Sequence, residues 1–245
     1  MSDSLIHLRA RLSAGELDVE TVVADCLDRI EANNPRLNAF VRIEADGARA
    51  AAVESARRYA AGQARALEGL PIAIKDNLDL AGSPTTAGML TRKHHLADSD
   101  AAVVRRLKAA GAIIVGKLHL TEAALGADGA NPHFGNCQNP VKLGHSPGGS
   151  SSGSAAAVAA GLVPAALGTD TMGSVRIPAA YCGIWGFKPS FGLVSSAGSV
   201  AVSRRLDHVG PLTRSAEDLE LLLSVMAGFD PDCPVSRPLQ LAKPQ

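Results

Sequence analysis

Short apolar runs alternating with amphipathic stretches predict an α/β protein, a sheet flanked by helices. Three observations carry that prediction. Stripes of Leu and Val at helical spacing open the chain. Compact apolar runs, PIAI from Pro71 to Ile74 and AIIV from Ala112 to Val115, lie between turn residues. Loops rich in Gly and Ser separate the later elements.

Residues 4–13 predict a helix with Leu5, Leu8 and Leu12 on one stripe, and residues 18–33 another with Val19, Val22, Val23, Cys26, Leu27 and Ile30. Asn33-Asn34-Pro35 is expected to stop the second helix. Leu37 to Ile43 predicts a strand, residues 45–61 a helix ended by Gly62, and Pro71 to Ile74 a strand. Asp100 to Ala110 predicts a helix with Asp100 near its N-terminus and Gly111 at its stop. The strand Ala112 to Val115 follows, then a short helix around Leu120 to Leu125 and loop over 127–150. Ala155 to Ala160 predicts a helix of small residues, and Ala165 to Leu167 a strand. The last helix is expected over Ala216 to Ala227, with Ser215 as N-cap and Glu217-Asp218 at its positive end.

The chain has 245 residues, enough for one domain with a buried core, and 46% of them are apolar. Its 24 basic and 24 acidic residues balance, and the basic ones are scattered, which argues against nucleic acid or an anionic membrane as the main partner. Cys26, Cys137, Cys182 and Cys233 lie far apart with no C-x-x-C pair, so a reducing cytoplasm fits better than a disulfide scaffold or a zinc site. MSDSLIHLRARL carries charges where a signal peptide needs an apolar run. Ala155 to Gly168 is too short to span a bilayer and is broken by Pro164.

Two motifs fail on mechanics. Gly144-His145-Ser146-Pro147-Gly148 fits the G-x-S-x-G elbow of α/β-hydrolases, yet Pro147 lacks the N–H that the elbow contributes to its oxyanion hole. Gly111 to Leu118 approaches a P-loop, but AIIV reads as a buried strand and Leu118 cannot ligate magnesium. Lys117 is expected to be a solvated lysine at a strand end.

SPGGSSSGS, Ser146 to Ser154, has the composition of a linker. It runs, however, into small residues that suit close packing, and then into GTDTMGSVRIP, Gly168 to Pro178. Such a turn can aim several N–H groups at one point. Together with LPIAIKDN (Leu70 to Asn77), CGIWGFKP (Cys182 to Pro189) and LDHVGPLTRS (Leu206 to Ser215), these ordered motifs resemble the amidase signature hydrolases over most of the chain.

The resemblance implies a mixed, mostly parallel sheet flanked by helices, in a single domain over 1–245 that is incomplete at its C-terminal end. It implies a Ser–cis-Ser–Lys triad: Ser174 as nucleophile, Ser150 next to a cis peptide bond as bridge, and Lys75 as base. The N–H groups of Thr171, Met172, Gly173 and Ser174 would form the oxyanion hole. Ala124 corresponds to a position lining the substrate pocket, and Ser151, Asp170 and Arg176 to structural support. Met172 stands where many relatives have Gly, so a side chain must be accommodated at the turn. The implied partner is a small-molecule amide, with no metal or cofactor, and a homodimer is compatible with it.

The chemistry is coherent. A serine hydroxyl is a weak nucleophile until a base takes its proton. A neutral lysine can serve as that base through Ser150, but it must lose its charge near neutrality, a drop of about three pH units from the usual lysine value or roughly 4 kcal/mol. Asp76 would oppose that drop unless its side chain points elsewhere. Singly, each residue has a bland role: surface lysine, turn serine, N-cap for Ser174, ion pair for Asp170 and Arg176, solvated loop for His94-His95, structural histidine for His208. It is the joint pattern that singles out Lys75, Ser150 and Ser174. Three functions remain open: a free-standing amidase, an amidotransferase subunit passing ammonia to a partner, and an inactive remnant.

Overall fold

A computed structural model describes residues 4–238. Helix α1 (Leu5–Ser13) starts where the Ser4 hydroxyl accepts from the His7 N–H, and it buries Leu5, Leu8 and Leu12. Helix α2 (Val19–Leu37) is capped by Asp18 and continues through Pro35, beyond the expected stop. The reason is local. Proline removes only one N–H at the last turn, and Asn38 closes the helix in the left-handed region, donating its N–H to the Asn34 carbonyl at 2.7 Å. The Asn34 side chain then brackets Phe40, accepting its N–H and donating to its carbonyl. Strand β1 (Phe40–Ile43) is therefore shorter than expected.

After α3 (Ala45–Ala60) comes β2 (Pro71–Lys75), buried at every position. Helix α4 (Ala102–Ala109) begins two residues later than expected, and Asp100 does not cap it. Its carboxylate accepts instead from the Ala81 N–H and from Lys108. Strand β3 (Ile113–Leu118) is also buried throughout. The segment expected to be a short helix is a single 3₁₀ turn, Glu122–Ala124, with Ala123 and Ala124 at φ 52° and 57°.

Helix α5 (Ser152–Ala159) leads into β4 (Ala165–Asp170), and α6 (Arg176–Cys182) follows the glycine-rich turn. Val175, not Ser174, occupies the N-cap position of α6. Strands β5 (Trp185–Gly186) and β6 (His208–Thr213) add to the expected set, since HVGPLT has the composition of a turn. Pro211 has no N–H to donate, and it sits opposite Phe187, just past the end of β5, where its carbonyl still accepts the Phe187 N–H. Helix α7 (Ala216–Met226) is capped by Ser215 as expected. Asp218 is buried and accepts the N–H groups of Leu5 and Ile6, so it serves the positive end of α1 rather than only its own helix.

The strands form one mixed sheet in the order β1-β3-β2-β4-β6-β5. Central β2 runs parallel to both β3 and β4, while β1 and β6 run opposite to them. The carboxyl ends of β2 and β4 thus point the same way, where open α/β sheets bind ligands. Helix α5 closes onto that edge through residues without bulk. A Cβ at Gly153 would lie 2.2 Å from the Ala39 carbonyl oxygen and 2.5 Å from the His119 nitrogen.

Because backbone on both sides blocks that space, Gly153→Ala is expected to destabilise the fold by about 3 kcal/mol. Chemical denaturation of the two proteins would measure it.

Candidate active site

Strand β2 delivers Lys75 and its neighbour Asp76 to opposite sides, as the two-residue period of a strand requires. Lys75 is fully buried, and its Nζ lies 2.8 Å from Ser150 Oγ and 2.8 Å from Thr169 Oγ1. Asn77, two residues on, donates to the same Thr169 oxygen at 3.1 Å. Burial pulls the Lys75 ammonium down to about 7, against the weaker opposing charges of Asp170 and Asp207. Both neighbours of its nitrogen are hydroxyls, which can accept or donate a proton bond.

Asp76 does point elsewhere. Its carboxylate lies 2.9 Å from the Lys117 ammonium, and Thr86 donates to it through both its N–H and its hydroxyl. Burial pushes the Asp76 carboxyl up, and Lys117 and Thr86 oppose that. Lys117 is itself fully buried, which corrects the expectation of a solvated strand-end lysine. It reaches the Leu78 carbonyl at 2.7 Å, with Pro84 and Thr85 beyond, so it pins the chain that follows β2. The apolar setting of AIIV could have suggested burial, but no local signal named a partner 41 positions earlier.

The serine stretch is ordered and buried from Ser150 to Ser154. The peptide bond between Gly149 and Ser150 is cis. Ser151 points its hydroxyl at the backbone of Thr169, where Oγ both accepts the N–H and donates to the carbonyl at 3.2 Å. Its own N–H donates to the Ser174 carbonyl at 3.2 Å, which ties the two glycine-rich turns together. Ser174 is half-buried. Ala124 is brought near through Thr121, whose N–H approaches the Ser150 carbonyl at 3.4 Å.

Asp170, at the end of β4, shapes the turn that carries Ser174. Its carboxylate accepts the N–H groups of Gly173 and Val175 and forms an ion pair with Arg176 at 2.9 Å. Burial pushes this carboxyl up, but the bonds from Arg176, Gly173 and Val175 outweigh it and hold it below the usual range. Gly173 sits at φ +118°, a conformation that suits glycine. Since its N–H is taken by Asp170, the donors left on the turn are those of Thr171, Met172 and Ser174, which meet no protein acceptor among the described residues. Met172 is 73% exposed, so its side chain turns outward and leaves the backbone N–H in place.

A family model described as amidase matches residues 21–244, and the chain belongs to the amidase signature family. It is similar to the glutamyl-tRNA(Gln) amidotransferase A subunits of several bacteria. That of Anaeromyxobacter sp. (strain K) is 48% identical over 223 residues, covering 91% of this chain and 45% of the relative. That of Ralstonia pickettii (strain 12J) is 49% identical over 224 residues, again covering 91% and 45%. Among solved structures, the peptide amidase of Stenotrophomonas maltophilia superposes with a TM-score of 0.90 at 40% identity, over 94% of this chain and 49% of that one. A bacterial aryl acylamidase of the amidase signature family gives 0.91 at 31% identity, over 98% and 50%. The chain spans about half the length of the curated relatives it matches. Among the described residues no helix is long and apolar enough to cross a membrane.

Replacing Lys117 by Met leaves the Asp76 carboxylate buried without its cation, and the expected loss is about 3–5 kcal/mol. Adding Asp76→Asn should recover part of that loss, which a double-mutant cycle of denaturation midpoints would read.

Proposed function

We propose that this chain cleaves the C–N bond of a carboxylic amide through an acyl-enzyme on Ser174, with Ser150 and Lys75 as the proton relay. The observation that carries it is a fully buried lysine, pulled to about 7, whose nitrogen meets a serine hydroxyl at 2.8 Å and, among the described residues, no carboxylate within ion-pair distance. In this reading Ser174 Oγ attacks the amide carbonyl carbon. Its proton passes to Ser150, and the proton of Ser150 passes to neutral Lys75. The N–H groups of Thr171, Met172 and Ser174 stabilise the oxyanion, and each such donor is worth about 10²–10³ in rate. The C–N bond then breaks as the relay returns a proton to the leaving nitrogen. Water, deprotonated by the same relay, attacks the Ser174 ester and releases the acid. No step calls on a metal or cofactor.

A specific observation supports a second reading, in which the amide is glutamine and the ammonia passes to a partner protein. Identity is 46–49% to amidotransferase A subunits, against 31–41% to the solved amidases. Release of glutamate from glutamine, against turnover of simple alkyl and aryl amides, separates the two. The four buried free thiols fit a cytoplasmic protein. Tyr181, Trp185 and Phe187, exposed beside edge strand β5, offer a surface for a second copy.

Labelling with a fluorophosphonate and mapping of the peptide should place the adduct on Ser174. An adduct on Ser146 or Ser151 with Ser174 unmodified would sink the assignment, and a folded protein that never labels would favour the inactive remnant.

The labelling rate should rise with pH through a midpoint near 7, because the reactive form carries the deprotonated amine. Lys75→Ala and Lys75→Arg should each slow labelling about a hundredfold or more, since a guanidinium stays protonated. Labelling of both variants at the wild-type rate would show that Lys75 is not the base.

A further inference from the structure

Asp207 lies between the last turn before β6 and the turn that carries Ser174. One carboxylate oxygen accepts the Thr171 hydroxyl at 2.6 Å. The other accepts the N–H groups of Val202 and Ser203 at 2.9 and 3.0 Å. Among the described residues no basic side chain forms an ion pair with it, whereas Asp170 has Arg176 and Asp76 has Lys117. Asp207 lines a small hollow next to the groups around Lys75. Asn77, Thr169, Thr171 and Ser199 line it, and the Asn77 Oδ1 that borders it is buried without a partner.

We propose that Asp207 is a positioning residue for the Ser174 reaction, clamping the Thr171 hydroxyl so that the N–H-bearing turn is held from its outer side, and keeping an uncompensated negative charge within reach of Lys75. This rests on the reading of Lys75 as the base. Asp170 and Asp207 hold the turn from two sides, one through the N–H groups of Gly173 and Val175, the other through the Thr171 side chain. The two act on the base in the same direction but differ in their own partners. Both charges favour the lysine once it has taken the proton, that of Asp170 first, but Asp170 is also paired to Arg176, whereas Asp207 has no ion-pair partner among the described residues. The remaining charged groups nearby are engaged. Asp76 and Lys117 pair on the far side of β2, and the His208 ring faces the carbonyls of Asp170 and Leu206, with Lys188 at 3.4 Å. Arg204 lines the adjoining hollow with Asp207 and forms no ion pair with it.

The test is the pH profile of fluorophosphonate labelling for the wild type, D207N, T171V and T171S. An asparagine keeps the size of the side chain and can rotate to satisfy the same donors, so D207N removes mainly the charge. Its labelling midpoint is expected below that of the wild type. T171V keeps the charge and removes the clamp, so its midpoint should stay while the plateau rate falls about tenfold, less than the loss of a whole oxyanion donor. T171S, which keeps the hydroxyl, should recover most of that rate. A merely structural aspartate would lower the plateau without moving the midpoint. A D207N midpoint equal to or above the wild type, or T171V labelling at the wild-type rate, overturns the proposal. Circular dichroism checks folding first, with D207S as a second charge-free variant. If neither charge-free variant folds, the role is structural and the proposal falls. Failure of the base reading is distinct: Lys75→Ala would then label like the wild type, while T171V and T171S would still report on the clamp.

Discussion

Lys75 is buried at the carboxyl end of the central strand with hydroxyls, not carboxylates, around its nitrogen, and the surrounding structure is arranged to keep it so. A buried ammonium is unfavourable unless a counter-charge or a ring of oxygens replaces water. Lys117, one strand away, has the counter-charge and carbonyl contacts. Lys75 lacks an ion-pair partner among the described residues, and burial drives it towards the neutral amine. The two lysines are alike in burial and opposite in chemistry, and the difference lies in which side of β2 each approaches. Asp76 faces Lys117, so the carboxylate next to Lys75 in sequence does not pair with it.

Around that amine, the glycine-rich turns are held mostly by side chain to backbone bonds. Ser151 bonds both backbone groups of Thr169, Asp170 takes the N–H groups of Gly173 and Val175, and the Ser151 N–H reaches the Ser174 carbonyl. Such bonds let irregular backbone stay buried without unpaired polar groups. They also leave a few N–H groups of the second turn free to meet a ligand. The small residues of α5 are the steric condition for this arrangement, since Gly153 rests against the backbone of Ala39 and His119.

The sequence by itself determined the elements whose signals are local. The stripes of α1 and α2, the apolar runs of β2 and β3 and the Ser215 cap can all be read within one or two turns of chain. Ordered motifs also pointed to the family, which the match over residues 21–244 bears out. Where local signals misled, longer-range contacts were the cause. Pro35 stays inside α2 because Asn38 and the Asn34–Phe40 bracket complete its end, and β6 forms despite Gly210 and Pro211 because β4 and β5 flank it.

Only the tertiary structure decided the electrostatics. That Lys117 is buried rather than solvated, that Asp76 turns from Lys75, and that Asp207 holds Thr171 all depend on segments tens of residues apart meeting at the ends of β2 and β4. Periodicity records which face of an element is apolar. It does not record which charge lies across the fold, because a proton affinity depends on distance and burial, and both are fixed only when the sheet has formed.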